Sequence, residues 1–397
     1  MELVVDLGIQ PLSGTFPSTP SEPLLEGALS VYVCQHCGLA QLGESYPAGV
    51  LYGDNYGYRS GLNQSMVSHL EGIARHIEQK VALEPGDVIL DIGANDGTLL
   101  RSFTRSDVLK IGVDPTIHKF SEYYSDDDCI TQIPSLFDSE VYRSNSEKKA
   151  KVITSIAMFY DLDEPLTFVQ DIADILEPQG LWILEQSYAP WMLKSGAFDT
   201  ICHEHLEYYR LRDIARLVDY AGLRVIDVAT NQSNGGSFIV TVGHQRSAHR
   251  TSPEVAWLMR QETENIESLI SSWQSFSARI RLQNDSLIDL LATLSDRGKK
   301  VSALGASTKG NIILNTCKIA PPLIDSIGEI NPYKFGRFAP GSGIPILREE
   351  DVISANPDYL VLLPWHFRDG LLRNLDSFLG AGGKVVLPLP DVEIVSG

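Results

Sequence analysis

Residues 199–210 read DTICHEHLEYYR, which sets a thiol, an imidazole, a carboxylate and a second imidazole in consecutive positions: Cys202, His203, Glu204 and His205. Three chemistries could use them. Zinc could be held by Cys202, His203 and His205. An HExxH site spaces its histidines one helical turn apart, whereas these lie at i and i+2, which suits an extended segment with both on one face. A cysteine–histidine nucleophile is the second, but it needs an activated thiolate, and nothing in the stretch activates Cys202. Acid–base work is the third: an imidazole titrates near neutrality and can take a proton from a carbon beside a carbonyl. Glu204 could then orient an imidazole, and Tyr208 or Tyr209 could hydrogen-bond an enolate oxygen. The plain alternative is a polar surface loop. The amphipathic aromatic run LEYYR argues against it, and acid–base work is the favoured reading.

A second group of residues marks a cofactor. VILDIGANDGTLL places Asp91, Gly93, Asn95, Asp96 and Gly97 where a strand should turn into a helix. Glycines allow a sharp turn and a close approach to a ligand. The D-x-G-x-x-x-G spacing is that of S-adenosylmethionine sites rather than of a GxGxxG dinucleotide fingerprint, and no Walker lysine follows. Asp114 in IGVDP is placed at the end of the next strand, where it could accept hydrogen bonds from ribose. Ser155, Ile156 and Ala157 of SIAMFYD would form the far wall. Later, SALGASTKGNIILN forms another glycine turn before a helix, whose amides could hold a diphosphate. Ser307, Thr308, Lys309 and Asn311 could add donors there, and Lys334 and Arg337 could offset phosphate charge.

These groups must be carried by more than one core, because 397 residues exceed what a single core usually serves. Hydrophobic content of 43% with 21% charged residues is that of a globular chain. No window of 18 apolar residues is present, so no membrane span is expected. The start MELVVDLGIQPL lacks the features of a signal peptide. Five irregularly spaced cysteines suit a reduced, cytoplasmic setting. The net charge of −19 opposes nucleic-acid binding; the expected partner is a small molecule. Strand and helix patterns alternate from VILDIG through GLWILEQS, and again from KKVSALGAS to GKVVLPLP. That predicts an α/β chain with a doubly wound central domain and a second Rossmann-like domain. Expected boundaries are 1–62 for a small N-terminal unit with a CxxC knuckle at Cys34 and Cys37, 63–250 for the methyl-donor domain, 251–298 for a helical spacer, and 299–397 for the second Rossmann-like domain.

Taken together, VCQHCGLAQL, YGYRSG, DIGANDGTLL, FDTICHEHLEYY, NGGSF and GASTKGN…NPYKFGRFAPGSGIPI resemble the sugar C-methyltransferases, adenosylmethionine-dependent enzymes acting on nucleotide-linked deoxy-keto-sugars. The similarity spans nearly the whole chain and keeps the motif order. It implies a zinc-binding N-terminal domain, a central adenosylmethionine domain and a C-terminal Rossmann-like domain. It also implies His205 as general base, flanked by Glu204 and His203. Two departures stand out. The family carries two cysteine pairs in its N-terminal domain, and only Cys34 and Cys37 are here. Two thiolates leave a zinc site half built, so little zinc is expected. Cys202 replaces the tyrosine that the family uses to stabilise the enolate; Tyr56 or Tyr58 is the expected substitute. The alternatives are an O-methyltransferase or another adenosylmethionine-dependent transferase acting on a different nucleotide-linked or carboxylate substrate, and a non-catalytic sugar-nucleotide binding protein.

Overall fold

The computed structural model describes residues 1–12, 14–52, 57–124 and 130–397. The expected strand–helix alternation yields a seven-stranded sheet with five neighbouring parallel strands. In order these are Ile130–Ile133, Leu109–Val113, Val88–Ile92, Ala150–Ile156 and Leu176–Ser187, followed by Ser237–His244, antiparallel, and Leu223–Asn231. Val88–Ile92 is buried at every position, as a strand covered on both faces must be. One face is covered by the helix Gln64–Lys80. Its Met66, Leu70, Ile73, Ala74 and Ile77 recur at helical spacing and turn inward. Asn63 caps its start through the Ser65 amide, 2.9 Å away. The helices Pro165–Ile175 and Leu211–Tyr220 pack on the opposite face around Trp182, Phe159 and Tyr209. The strands end together beside the glycine turn, which is where an open α/β sheet binds its ligand.

The second alternating region forms a six-stranded sheet ordered Ile346–Arg348, Ile327–Glu329, Val301–Leu304, Tyr359–Leu362, Lys384–Leu387 and Glu393–Ser396, antiparallel only at the last pair. The N-terminal residues pair as Glu2–Pro11, Glu26–Val33 and Ala40–Leu42, all antiparallel. A fourth strand completes that sheet from far along the chain: Glu207–Tyr208, the continuation of CHEH, pairs with Ala40 and Gln41.

The region expected as a spacer contains the helices Pro253–Gln261 and Ile266–Asp296. The longer one does not bridge solvent. Leu269, Trp273, Phe276, Ile280, Leu287, Leu291 and Leu294 form a continuous buried stripe. They share one core with Val4, Val5, Leu29, Val31 and Val33 of the N-terminal sheet and with the interior of the C-terminal sheet. Among the described residues, no helix is long and apolar enough to cross a membrane.

Candidate active site

The turn after Val88–Ile92 has three residues in the left-handed region: Gly93 (φ 79°), Asn95 (φ 51°) and Gly97 (φ 76°). At Gly93 a Cβ would come 3.1 Å from the Met158 side chain, on the wall of a cleft of about 350 Å³. Asp91, Gly93, Asn95, Asp114, Ile156 and Ala157 all line this cleft, as does Tyr58. The Asp114 carboxylate is fixed by the amides of Asn95 (2.9 Å) and Thr116 (2.6 Å) and by the Thr116 hydroxyl (2.6 Å). Asp91 accepts from the Thr154 hydroxyl at 2.6 Å, and burial pushes its carboxyl up to about 7.

Three residues expected at the cofactor do not line the cleft. Gly97 packs against Tyr124, where a Cβ would approach to 2.6 Å. Asp96 is fully buried and reaches the other way, accepting from the Gly61 amide (2.9 Å) and pairing with Arg59 (3.4 Å). With Asn95, which accepts from the Ser60 amide at 3.0 Å, it clamps the segment that carries Tyr58. Ser155 lies within the sheet's packing and receives the Trp182 indole N–H at 3.1 Å. Tyr56 lies outside the described residues. Met158, Asp161, Asp163, Glu185 and Gln186 also form the cleft wall, although no motif spacing marks them. The last two sit at the end of the strand-like GLWILEQS, so their position was the available signal.

The CHEH stretch is a turn rather than an extended strand: the His205 amide donates to the Cys202 carbonyl at 3.1 Å. The turn separates the two histidines expected on one face. His203 is buried and edge-on to Tyr46 (5.4 Å between ring centres), with Nε2 3.2 Å from the Gly27 carbonyl. His205 faces Tyr160, with ring centres 4.1 Å apart, and its Nδ1 lies 2.7 Å from the Thr200 carbonyl. A carbonyl only accepts, so Nδ1 carries the proton and Nε2 keeps its lone pair in the neutral ring. Burial, with a smaller contribution from Lys309, pushes the His205 imidazole down to about 3, so the ring is neutral at ordinary pH.

Cys202 is fully buried, and burial holds its thiol well above the ordinary range, which opposes the thiolate that a nucleophile or a zinc ligand requires. Burial also raises Glu204 to about 7, partly offset by Cys202 and Lys334. Tyr208 packs on Trp273 and Tyr209 on Phe159, and, like Cys202, His203, Glu204 and His205, they are not among the residues that line the cleft.

The residues expected to bind phosphate are engaged by protein groups. Lys309 donates to the Asn234 carbonyl (2.7 Å) and the Thr200 hydroxyl (3.3 Å), and burial lowers its ammonium. Lys334 donates to the Ala306 carbonyl (2.8 Å) and pairs with Glu329 (3.7 Å). Arg337 donates to the Phe16 carbonyl at 2.8 Å. Ser307 caps the helix Thr308–Thr316 through the Gly310 amide, inside which Asn311 is fully buried. Lys309 thus ties the C-terminal unit to Thr200, just before the CHEH turn, and Arg337 ties it to the N-terminal segment at Phe16.

The CxxC turn is closed by backbone hydrogen bonds, with Gly38 donating to Cys34 and Cys34 to Leu39, both at 2.8 Å. Arg210 and Arg216 donate to the Cys37 carbonyl. Among the described residues, no group of three or more His, Cys, Asp or Glu is placed to hold a metal. Two thiols do not make a closed zinc site.

Three family descriptions match successive parts of the chain. A family described as a methyltransferase domain matches residues 66–228, and the C-methyltransferase C-terminal domain matches 232–390. A family described as zinc binding matches 1–52. Together the three matches cover most of the chain. The C-methyltransferase NovU of Streptomyces niveus is 28% identical over 99% of this chain and 94% of its own length. Among solved structures, the CcbJ methyltransferase from Streptomyces caelestis is 12% identical over 44% of this chain and 89% of that chain, with a TM-score of 0.34. The N-methyltransferase NodS from Bradyrhizobium japonicum, in complex with S-adenosyl-L-homocysteine, is 10% identical over 47% and 88%, with a TM-score of 0.35. The methyltransferase-domain match and the full-length similarity to NovU make the chain an adenosylmethionine-dependent methyltransferase. Its cleft suits that donor: a sulfonium and an ammonium would meet the acidic side chains of Asp114, Asp163 and Glu185.

Proposed function

We propose that this methyltransferase methylates carbon in a nucleotide-linked keto-sugar, with His205 as general base. The observation that carries this reading is the bond from His205 Nδ1 to the Thr200 carbonyl, which leaves Nε2 as a fixed, unprotonated acceptor. Full-length similarity to a C-methyltransferase supports carbon as the acceptor. Adenosylmethionine, when bound, supplies an electrophilic methyl group. His205 takes the proton from the carbon beside the ketone, which leaves an electron pair on that carbon for the methyl group that the donor would supply. The proton then leaves the imidazole for solvent. Tyr160 and Lys309 position the base: the first packs against its ring at a tilt, and the second bonds the Thr200 hydroxyl, on the residue whose carbonyl holds Nδ1. Asp114 is the group proposed to receive the ribose hydroxyls.

Proton exchange tests the base without the donor. In heavy water, wild type should exchange the acidic C–H of an accepted keto-sugar in the absence of adenosylmethionine. His205→Ala should lose that exchange and most turnover while keeping cofactor affinity. Exchange by His205→Ala at the wild-type rate would place the base elsewhere. An O-methyltransferase would show no exchange at all.

A further inference from the structure

The strand Leu176–Ser187 delivers two polar residues to the cleft, and the structure treats them differently. Glu185 is fully engaged: His69 Nε2 lies 2.7 Å from one carboxylate oxygen, and Asn231 donates to the other at 2.7 Å. Gln186 lines the same cleft, is 1% exposed, and neither its Nε2 nor its Oε1 has a hydrogen-bond partner among the described residues. An orphaned buried amide costs free energy and persists where a ligand completes it.

The position of Gln186 says which ligand. Alternation along the strand puts it on the face of Trp182 and Leu184, where Phe159 and Tyr209 pack, opposite the face on which Glu185 meets the helix Gln64–Lys80. Its strand lies three places along the sheet from Leu109–Val113, which ends at Asp114. At roughly 4.8 Å per strand that is about 14 Å. A nucleoside anchored at Asp114 therefore leaves Gln186 beyond the glycine turn, toward Ser233, Asn234 and Ser237, which form the polar end of the cleft. Asn234 joins this end to Lys309 through its carbonyl, and so to the residues that hold His205.

We propose that Gln186 is an acceptor-binding residue, with Nε2–H donating to the ketone oxygen that becomes the enolate and Oε1 accepting from a neighbouring hydroxyl. This deepens, and rests on, the keto-sugar reading above. A carboxamide offers one donor edge and one acceptor edge, so it selects a carbon acid whose carbonyl stands beside a hydroxyl. It also supplies the hydrogen bond that Cys202, buried and protonated, does not.

The test compares wild type with Gln186→Leu and Gln186→Glu, using thymidine- and uridine-diphosphate-linked 4-keto-6-deoxyglucose as acceptor probes. Gln186→Leu should lower kcat/KM by about 10²-fold or more, as loss of an oxyanion donor does, and slow solvent C–H exchange in parallel. Gln186→Glu keeps the shape but loses the donor, and should be slow as well. Adenosylmethionine affinity by calorimetry should stay within about twofold of wild type, since a remote, independent contact leaves it untouched. Ligand-free Gln186→Leu should melt no lower than wild type, because it removes an unpaired amide. Wild-type kinetics in Gln186→Leu, or a lowered melting point with turnover per folded molecule unchanged, would overturn the assignment. A wild type inert toward both probes would instead overturn the keto-sugar reading on which it rests.

Discussion

Single residues carry most of what was legible beforehand. The D-x-G-x-x-x-G spacing placed Asp91, Gly93 and Asn95 on the cleft because a turn that needs left-handed backbone leaves a mark in sequence. The same spacing could not say that Asp96 would turn back onto Gly61 and Arg59, since the direction of a side chain leaving a turn depends on partners distant in sequence. Asp114 supports a firm expectation. Its carboxylate is already aimed by three donors, so binding a ribose would cost little reorganisation. Asp114→Ala should weaken adenosylmethionine binding on the order of tenfold or more, since a charge-assisted hydrogen bond contributes roughly 1.5–3 kcal/mol. Unchanged affinity by titration calorimetry would show that the ribose lies elsewhere.

At the scale of elements, strand periodicity was readable and long-range pairing was not. Two residues, Glu207 and Tyr208, are too short a run to announce a strand, and their partners lie over 160 positions upstream. That pairing explains why CHEH is held as a tight turn: the chain must reverse between Thr200 and the sheet edge. It also leaves Glu207 half-buried. Burial, with Asp163 nearby, pushes its carboxyl up to about 8 from an ordinary value of 4.5. The folded state then holds a proton that the unfolded chain releases between those two values. The contribution of Glu207 to stability is therefore fully present below about pH 4.5 and is lost as pH rises through about 8. Glu207→Gln removes that dependence. In urea titrations the variant should be more stable than wild type at pH 8.5, with the gap closing toward pH 5. A gap that is constant across this range would mean that Glu207 is solvated in the folded protein.

The whole molecule departs most from what composition and pattern suggest, because shared cores leave no local trace. A helix rich in Leu, Ile and aromatic residues over 266–296 reads as a spacer until its stripe is seen facing two sheets at once. The N-terminal sheet is held by that stripe. Val4, Val5, Leu29, Val31 and Val33 lie in one cluster with Trp273, Phe276 and Ile280, and Trp273 meets Tyr208 edge-on at 5.7 Å. A structural zinc contributes folding energy where no other core exists. Here a core does exist, and the only cysteine pair of the knuckle, Cys34 and Cys37, has its carbonyl side tied to Arg210 and Arg216 instead. Two measurements should therefore separate. A strong chelator should leave the melting temperature where it was, and elemental analysis should find substoichiometric zinc. Trp273→Ala should cost about 3–5 kcal/mol, the usual range for truncating a buried aromatic side chain. It should also reduce turnover, because Tyr208 belongs to the strand that sets the turn carrying His205. One tightly held zinc per chain, with melting lowered by chelation, would instead make the metal the organiser of this end of the molecule. The core around Trp273 would then be secondary, and further ligands would have to come from residues outside the Cys34–Cys37 turn.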